Sequence, residues 1–376
     1  MNFEMYYKSR QGKMVNVLKE LVRLESPTGD RKAVNTASAS VVDELRKIGA
    51  RVVRLPQKDI GDLHIVEYPG RPHPDLSDQI LILTHIDTVW PVGKIQTMPF
   101  YLAGDKIFGP GVLDMKAGLV MVLFALKTLY ELNLRPAKKI VLFINSAEET
   151  GHKESHDEIV KLARRSDLCL CFEPALPGGA LKLERKGRMV VRLEAQGKAA
   201  HGGTPEKGVN AIEELLGQIQ RLDRLKKYET TVNVGVMGGG SKANIVAEHA
   251  WVILDIRFWT NDDKERIKSY FRDLKPIRSG ARLKHSVESL TPPMEKTKAS
   301  EELFQEARRI AKTLGQRLRG GKSGGGSDAS IAANLGVPTL DGLGPDGDGI
   351  HAEHEHLLLS SFVERTALLT RLLLEL

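Results

Sequence analysis

The sequence predicts an α/β protein: a mostly parallel sheet with helices on both faces, interrupted by an inserted α+β domain that carries an antiparallel sheet. Three observations lead there. Short apolar, β-branched runs at 80–84, 139–145 and 168–172 read as fully buried strands. Stretches of helical periodicity at 115–132 and 155–164 lie between them, and strands alternating with helices argue for parallel pairing. From about Gly178 the pattern changes, because 188–197 and 250–259 alternate apolar and polar residues while 211–226 and 262–274 read as amphipathic helices. After Pro292 and Pro293 the chain returns to a helix at 300–314, a glycine-dense loop at 320–326, a short helix and strand, and a closing helix at 360–374. The expected division is 1–177 with 290–376 for the first domain and 178–289 for the insertion.

Composition removes several classes of function. With 376 residues and 41% hydrophobic content the chain can bury a sizeable core, and its length favours two domains. Charged residues at 27% are not arranged around any membrane-length apolar run, and the composition is not that of a disordered chain. The formal charge of +7 is spread along the sequence and interleaved with Asp and Glu, and aromatics make up only 5%. No basic face with interleaved aromatics is expected, so nucleic acid is not an expected partner, and neither is a membrane. The first 23 residues carry Lys8, Arg10, Lys13 and Lys19 without a continuous apolar core, unlike a secretory signal. Cys169 and Cys171 are too close along a strand for a routine disulfide and read as two small buried hydrophobes in a reduced, cytoplasmic setting. The 320–326 run only superficially resembles a phosphate loop, because its glycine spacing and Lys-Ser order differ.

Five segments supply candidate metal ligands: His85 in Thr84-His-Ile-Asp87, Asp114 in Gly109-Pro-Gly-Val-Leu-Asp-Met-Lys116, Glu148 and Glu149 in Ser146-Ala-Glu-Glu-Thr-Gly151, Glu173 in Cys171-Phe-Glu-Pro174, and His351 in Gly349-Ile-His351. Imidazole and carboxylate together suit zinc, and also cobalt or manganese. His85, the Glu pair and Glu173 follow the apolar runs, so their side chains emerge at strand ends where loops converge. Asp87 lies two residues beyond His85, where its carboxylate can accept the free ring N–H and set the tautomer that ligates metal. Any one of these pieces alone is more often a solvated charge or a structural histidine.

Taken together and in this order, with Gly111-x-x-Asp-Met-Lys-x-Gly118 among them, the motifs resemble those of the acetylornithine deacetylase, succinyl-diaminopimelate desuccinylase and glutamate carboxypeptidase family of dinuclear zinc metallopeptidases. Glutamate carboxypeptidase is the nearest in pattern, and the likeness spans nearly the whole chain. It implies two zinc ions, with Asp114 bridging them, His85 and Glu173 completing one site, Glu149 and His351 the other, and Glu148 left as general base for attack by a metal-bridging water. It further implies a homodimer through the inserted domain, in which His201, in Ala200-His-Gly-Gly-Thr-Pro-Glu206, reaches the partner's active site to polarise the scissile carbonyl. Unaided, the residues around His201 also read as a surface turn before a helix. Asn244, Arg257, Gly325 and Gly326, the last two beside Ser327 and Asp328, resemble the segments that hold the substrate's terminal carboxylate. Arg257 beside Asp255 reads equally as a surface ion pair.

The implied reaction is hydrolysis of an amide bond adjacent to a free carboxylate, on a small peptide or N-acyl amino acid. Three departures bear on it. His152 brings an extra imidazole after the Glu pair and is expected to be solvated, as are His354 and His356. Where the nearest relatives place another substrate-binding Arg, this chain reads Thr291-Pro-Pro-Met-Glu295, so strict glutamate specificity does not follow. A dipeptidase or tripeptide aminopeptidase, which needs an anionic hold for the substrate amine, and a non-catalytic ligand-binding relative are the competing readings.

Overall fold

A computed structural model describes residues 1–71, 79–151 and 153–376. The expectation for His152 lies outside these residues. The chain forms two compact units, one of Met1–Leu183, Lys296–Lys322 and Ser327–Leu376, the other of Glu184–Glu295 and Ser323–Gly326.

The first unit is built on a six-stranded sheet. Its order is Arg51–Leu55, Leu63–Tyr68, Lys139–Asn145, Gln79–His85, Leu168–Cys171 and Thr339–Leu340. The last four strands are mutually parallel, and Leu63–Tyr68 runs antiparallel to its neighbours. Gln79–His85 is buried along its whole length, as a central strand covered on both faces must be. Ile80, Ile82, Ile140 and Leu142 share one core with the helices Gln11–Arg23, Arg31–Lys47, Ala117–Glu131 and Leu359–Glu375. Leu81, Leu83, Val141 and Phe143 are equally buried and, by strand alternation, face the other way. Helix Lys153–Ala163 packs against Lys139–Asn145, and Ala329–Asn334 against Leu168–Cys171. A small sheet, Gly347–Asp348, His356–Leu358, Lys106–Phe108 and Tyr101–Ala103, completes the unit. It buries His356, whose ring lies 5.0 Å from that of Phe108, so the surface position expected for His356 is corrected, while His354 is exposed.

The second unit has an antiparallel sheet in the order Thr231–Gly239, His249–Phe258, Gly187–Gln196, Arg282–Thr291. The two central strands alternate buried and half-buried residues. Met189, Val191, Leu193, Val252, Leu254 and Ile256 form a core with Leu215, Ile267 and Phe271 of helices Ala211–Arg221 and Asn261–Arg272. Asn210 and Thr260 cap these helices by accepting first-turn N–H groups. The first helix stops at Arg221 and continues as a 3₁₀ turn, Leu222–Leu225, five residues short of the expected end at 226. Both fold classes expected from the sequence are present.

Candidate metal centre

Gln79–His85, Lys139–Asn145 and Leu168–Cys171 are parallel, so their carboxyl ends lie at one edge of the sheet. His85 is the last residue of its strand, Glu148 and Glu149 follow the second, and Glu173 follows the third. Asp114 sits in the turn Val112–Lys116 just before helix Ala117–Glu131, and the Asp114–Met115 peptide is cis. Two glycines of this motif have a steric reason: a Cβ on Gly118 would come within 2.3 Å of the Phe172 carbonyl oxygen, and Gly111 adopts φ +69° against Thr88. Close approach of Gly118 to Phe172 therefore brings the Asp114 turn to the strand end that Glu173 follows.

Asp114 lies between two imidazoles. Its Oδ1 is 3.2 Å from His85 Nε2, and its Oδ2 is 3.4 Å from His351 Nε2. His85 Nε2 is also 3.5 Å from Glu173 Oε1, and His351 Nε2 is 3.2 Å from Glu149 Oε2. Among the described residues, His85, Glu148 and Glu173, and again His85, Asp114 and Glu149, each bring one ligand-type atom within 4.8 Å of the others. Glu148 thus stands among the ligand-type groups, next to His85 and Glu173. His351 is held at φ +60°, a conformation that few non-glycine residues adopt.

Asp87 does more than its spacing suggested, and by a different atom. His85 Nδ1 is 3.0 Å from the backbone carbonyl of Asp87, whereas the carboxylate Oδ1 is 3.4 Å away. A carbonyl only accepts, so Nδ1 carries a proton and Nε2 faces the carboxylates. The Asp87 carboxylate, fully buried, instead accepts the backbone N–H groups of Glu148 and Glu149, each at 3.2 Å, and the Thr28 hydroxyl at 2.7 Å. Asn145 extends this scaffold: its Oδ1 accepts the Ala147 N–H at 3.0 Å and its Nδ2 donates to Asp328 at 2.7 Å.

Charge in the cluster is unbalanced. Burial, with the neighbouring Glu173 carboxylate adding to it, pushes Glu148 well above the usual range. Burial also raises Glu149, against a hydrogen bond from His351, and raises Asp328 to about 7. Burial opposes the charge of Asp114, but the two imidazoles outweigh it and hold that carboxyl well below normal. The Asp114 and Glu149 carboxylates, which accept hydrogen bonds from the His351 ring, raise it to about 10. Burial disfavours a charged His85, yet Asp114, Asp87 and Glu173 keep its pKa well above the ordinary value. Glu149 Oε1 is buried with no hydrogen-bond partner among the described residues, a costly state that a cation relieves. The donor set, imidazole nitrogens and carboxylate oxygens, therefore fits a transition-metal site.

Several contributors escaped the sequence. The buried Lys116, lowered to about 7 by desolvation, donates Nζ to the carbonyls of Leu21 and Leu24 at 3.0 and 2.9 Å, tying the Asp114 turn to a helix end. Asn145, Thr28 and Glu355, four residues after His351, are the others.

The remaining candidates belong to the second unit. His201 is exposed, and its Nδ1 accepts the Gly203 N–H at 3.0 Å, so the neutral ring carries its proton on Nε2. Asn244 is adjacent, accepting the Gly202 N–H at 2.8 Å. Arg257 donates Nε to Asp255 at 2.8 Å and Nη1 to the Gly324 carbonyl at 3.1 Å. The ion pair is thus formed, and Arg188 shares the same Asp255 carboxylate at 2.6 Å. Arg185 donates to the carbonyls of Gly325 and Gly326 at 3.1 and 2.8 Å.

Imidazoles and buried carboxylates converging at the carboxyl edge of a parallel sheet define a metal-dependent hydrolase. The family model "Peptidase family M20/M25/M40" matches residues 81–375, and the chain belongs to this family of metallopeptidases. It is 30% identical over 379 residues to carboxypeptidase G2 of Pseudomonas sp. strain RS-16, covering 97% of this chain and 90% of that one. A tripeptidase structure from Staphylococcus aureus superposes with TM-score 0.77 at 22% identity, covering 96% of this chain and 97% of that one. The Bacillus subtilis YXEP protein, a dinuclear metal binding peptidase of the M20 family, superposes with TM-score 0.72 at 14% identity, covering 98% of each chain.

Proposed function

We propose that this metallopeptidase is a dinuclear zinc hydrolase that cleaves an amide bond next to a free carboxylate, as a carboxypeptidase or an N-acyl-amino-acid deacylase. The observation that supports it most is Asp114, with one oxygen toward His85 and the other toward His351. In this reading His85, Glu173 and Asp114 hold one ion and Asp114, Glu149 and His351 the other, with cobalt or manganese able to replace zinc. Two bound divalent ions supply Lewis acidity toward the scissile carbonyl and make water a stronger acid.

The chain's own residues do the rest. Glu148, its N–H fixed by Asp87, takes the proton of the attacking water and delivers it to the leaving nitrogen, so the amine departs neutral. His201 donates from Nε2 to the scissile carbonyl oxygen of the partner's substrate, with Asn244 beside it. Arg257 pairs with the substrate carboxylate near Gly325 and Gly326. The unit of Met1–Leu183, Lys296–Lys322 and Ser327–Leu376 serves as the catalytic domain, and the unit of Glu184–Glu295 with Ser323–Gly326 as the dimerisation domain. Support for pairing there comes from the edge strands Thr231–Gly239 and Arg282–Thr291, which expose Val236, Met237, Val287 and Leu290.

The experiment is hydrolysis of a panel of N-acyl amino acids, acyl-glutamates, dipeptides and tripeptides by zinc-loaded wild type and Glu148→Ala, with metal content measured on both. Expected is a wild type active on free-acid substrates and a variant that keeps its zinc and loses nearly all turnover. Activity only on tripeptides with a free amine favours the aminopeptidase reading. A metal-loaded wild type inert across the panel favours the non-catalytic one.

A further inference from the structure

Glu355 is buried to 1% exposure, yet it is neither a ligand nor half of a salt bridge that the site explains. Its carboxylate takes four hydrogen bonds. Oε1 accepts the backbone N–H groups of Leu113 and Asp114 at 2.9 and 3.1 Å, and Oε2 accepts the Gly111 N–H at 3.0 Å and the Trp90 indole N–H at 2.9 Å. A carboxylate offers about four lone-pair positions, so none is left over for a cation. Three of the four donors are consecutive or near-consecutive amides of the turn that presents Asp114, and a fourth group, the Gly109 N–H, reaches the Glu355 carbonyl at 3.4 Å.

The same residue is bound to the other side of the centre. Glu355 follows His351 through a tight turn, in which the Ala352 N–H donates to Gly349 at 2.8 Å and the Glu355 N–H to Ala352 at 2.9 Å. The strand that begins at His356 then pairs with Lys106–Phe108, in the register His356 to Phe108. One buried side chain thus joins the segment carrying Asp114 to the segment carrying His351, residues that are otherwise 237 positions apart, as 351 minus 114.

We propose that Glu355 is a positioning residue that presets the approach of Asp114 to His351, so that its loss weakens cation binding beyond any effect on folding. This rests on the reading of the site as a metal centre. Groups that orient metal ligands typically change affinity by about 10–100-fold when removed. Gln in place of Glu355 keeps the shape but turns an NH2 toward N–H donors, leaving a pair of them, at least one a turn amide, unsatisfied.

The test uses the full-length protein and zinc alone as the probe. Zinc dissociation constants are measured by competition with a chromophoric chelator for wild type, Glu355→Gln, Glu355→Asp and Trp90→Phe, alongside denaturant unfolding of each metal-free form. Expected is a folded Glu355→Gln whose zinc affinity falls about 10–100-fold, with Trp90→Phe, which spares the three turn amides, close to wild type. A purely structural Glu355 would lower the unfolding midpoint and leave the affinity of the folded protein unchanged, which overturns the proposal. If Glu355→Gln does not fold, Glu355→Asp decides: it keeps the charge one methylene short, and undiminished affinity there also overturns the proposal. A wild type that takes up no zinc removes the metal reading and this inference with it, whereas tight binding by wild type and Glu355→Gln alike removes this inference alone.

Discussion

His85 turns Nδ1 toward the backbone carbonyl of Asp87 at 3.0 Å, which leaves the Asp87 carboxylate free for other partners. That carboxylate holds the amides of Glu148 and Glu149. Asp87→Asn places an NH2 where two N–H donors and a hydroxyl converge. The expected cost is about 1–3 kcal/mol of stability and about 10–100-fold in zinc affinity. Denaturant melts and chelator competition measure the two. A variant with wild-type affinity contradicts the clamp.

His201 and Glu148 offer a test of which subunit each serves. Glu148→Ala and His201→Ala are each expected to lose about 100-fold or more in kcat. If His201 acts in its partner's site, mixing the two inactive variants under subunit exchange restores activity, because one site per heterodimer then has both groups. Failure to complement, with heterodimers demonstrated, places His201 in its own subunit's chemistry or outside it.

Cation uptake should release protons. The Asp114 and Glu149 carboxylates, accepting from the His351 ring, hold its pKa at about 10, so His351 is protonated at pH 7 in the metal-free protein. An imidazole nitrogen must be bare to bind metal. Calorimetry of zinc binding in buffers of different ionisation enthalpy should therefore show net proton release at pH 7, and a buffer-independent enthalpy would contradict it.

Away from the site, Asp62 ties the acid stability of the fold to one carboxyl. Burial opposes its charge, but the Gln57 N–H and the guanidinium groups of Arg54 and Arg31 outweigh that and lower its pKa. A folded pKa below the unfolded one gives stability that is complete above the unfolded value, about 3.9, and is lost as pH falls through the folded value. Asp62→Asn should lower stability at neutral pH and flatten its decline below about pH 4, read from unfolding curves at a series of pH values.

The strands that position the centre were legible because a central parallel strand is apolar throughout, as Ile80–Thr84 is, and the inserted sheet because 187–196 and 249–258 are covered on one face only. The flanking strands Thr231–Gly239 and Arg282–Thr291 were not, since both lie at the sheet edges and are exposed along most of their length, so no apolar face is buried to mark them. Strands Arg51–Leu55 and Leu63–Tyr68 also passed unread; Arg51–Leu55 is an edge strand with little buried surface. The ligand-type residues were visible as motifs, but their supports were not. Glu355 meets its amide donors across 241 to 244 positions, and Thr28 meets Asp87 across 59, distances over which spacing says nothing. His356 looked like a surface residue because nothing local reveals the ring of Phe108 beside it.

The central claim is recognition of a free carboxylate next to the cleaved bond. It is tested most directly by comparing a single N-acyl amino acid, chosen as the best substrate of the panel, with its own α-carboxamide on the zinc-loaded enzyme. The expected result is kcat/KM for the free acid at least about 100-fold above the amide, the order lost with one charge-assisted contact in a closed site. Equal rates on the two, or a preference for the amide, would contradict the account.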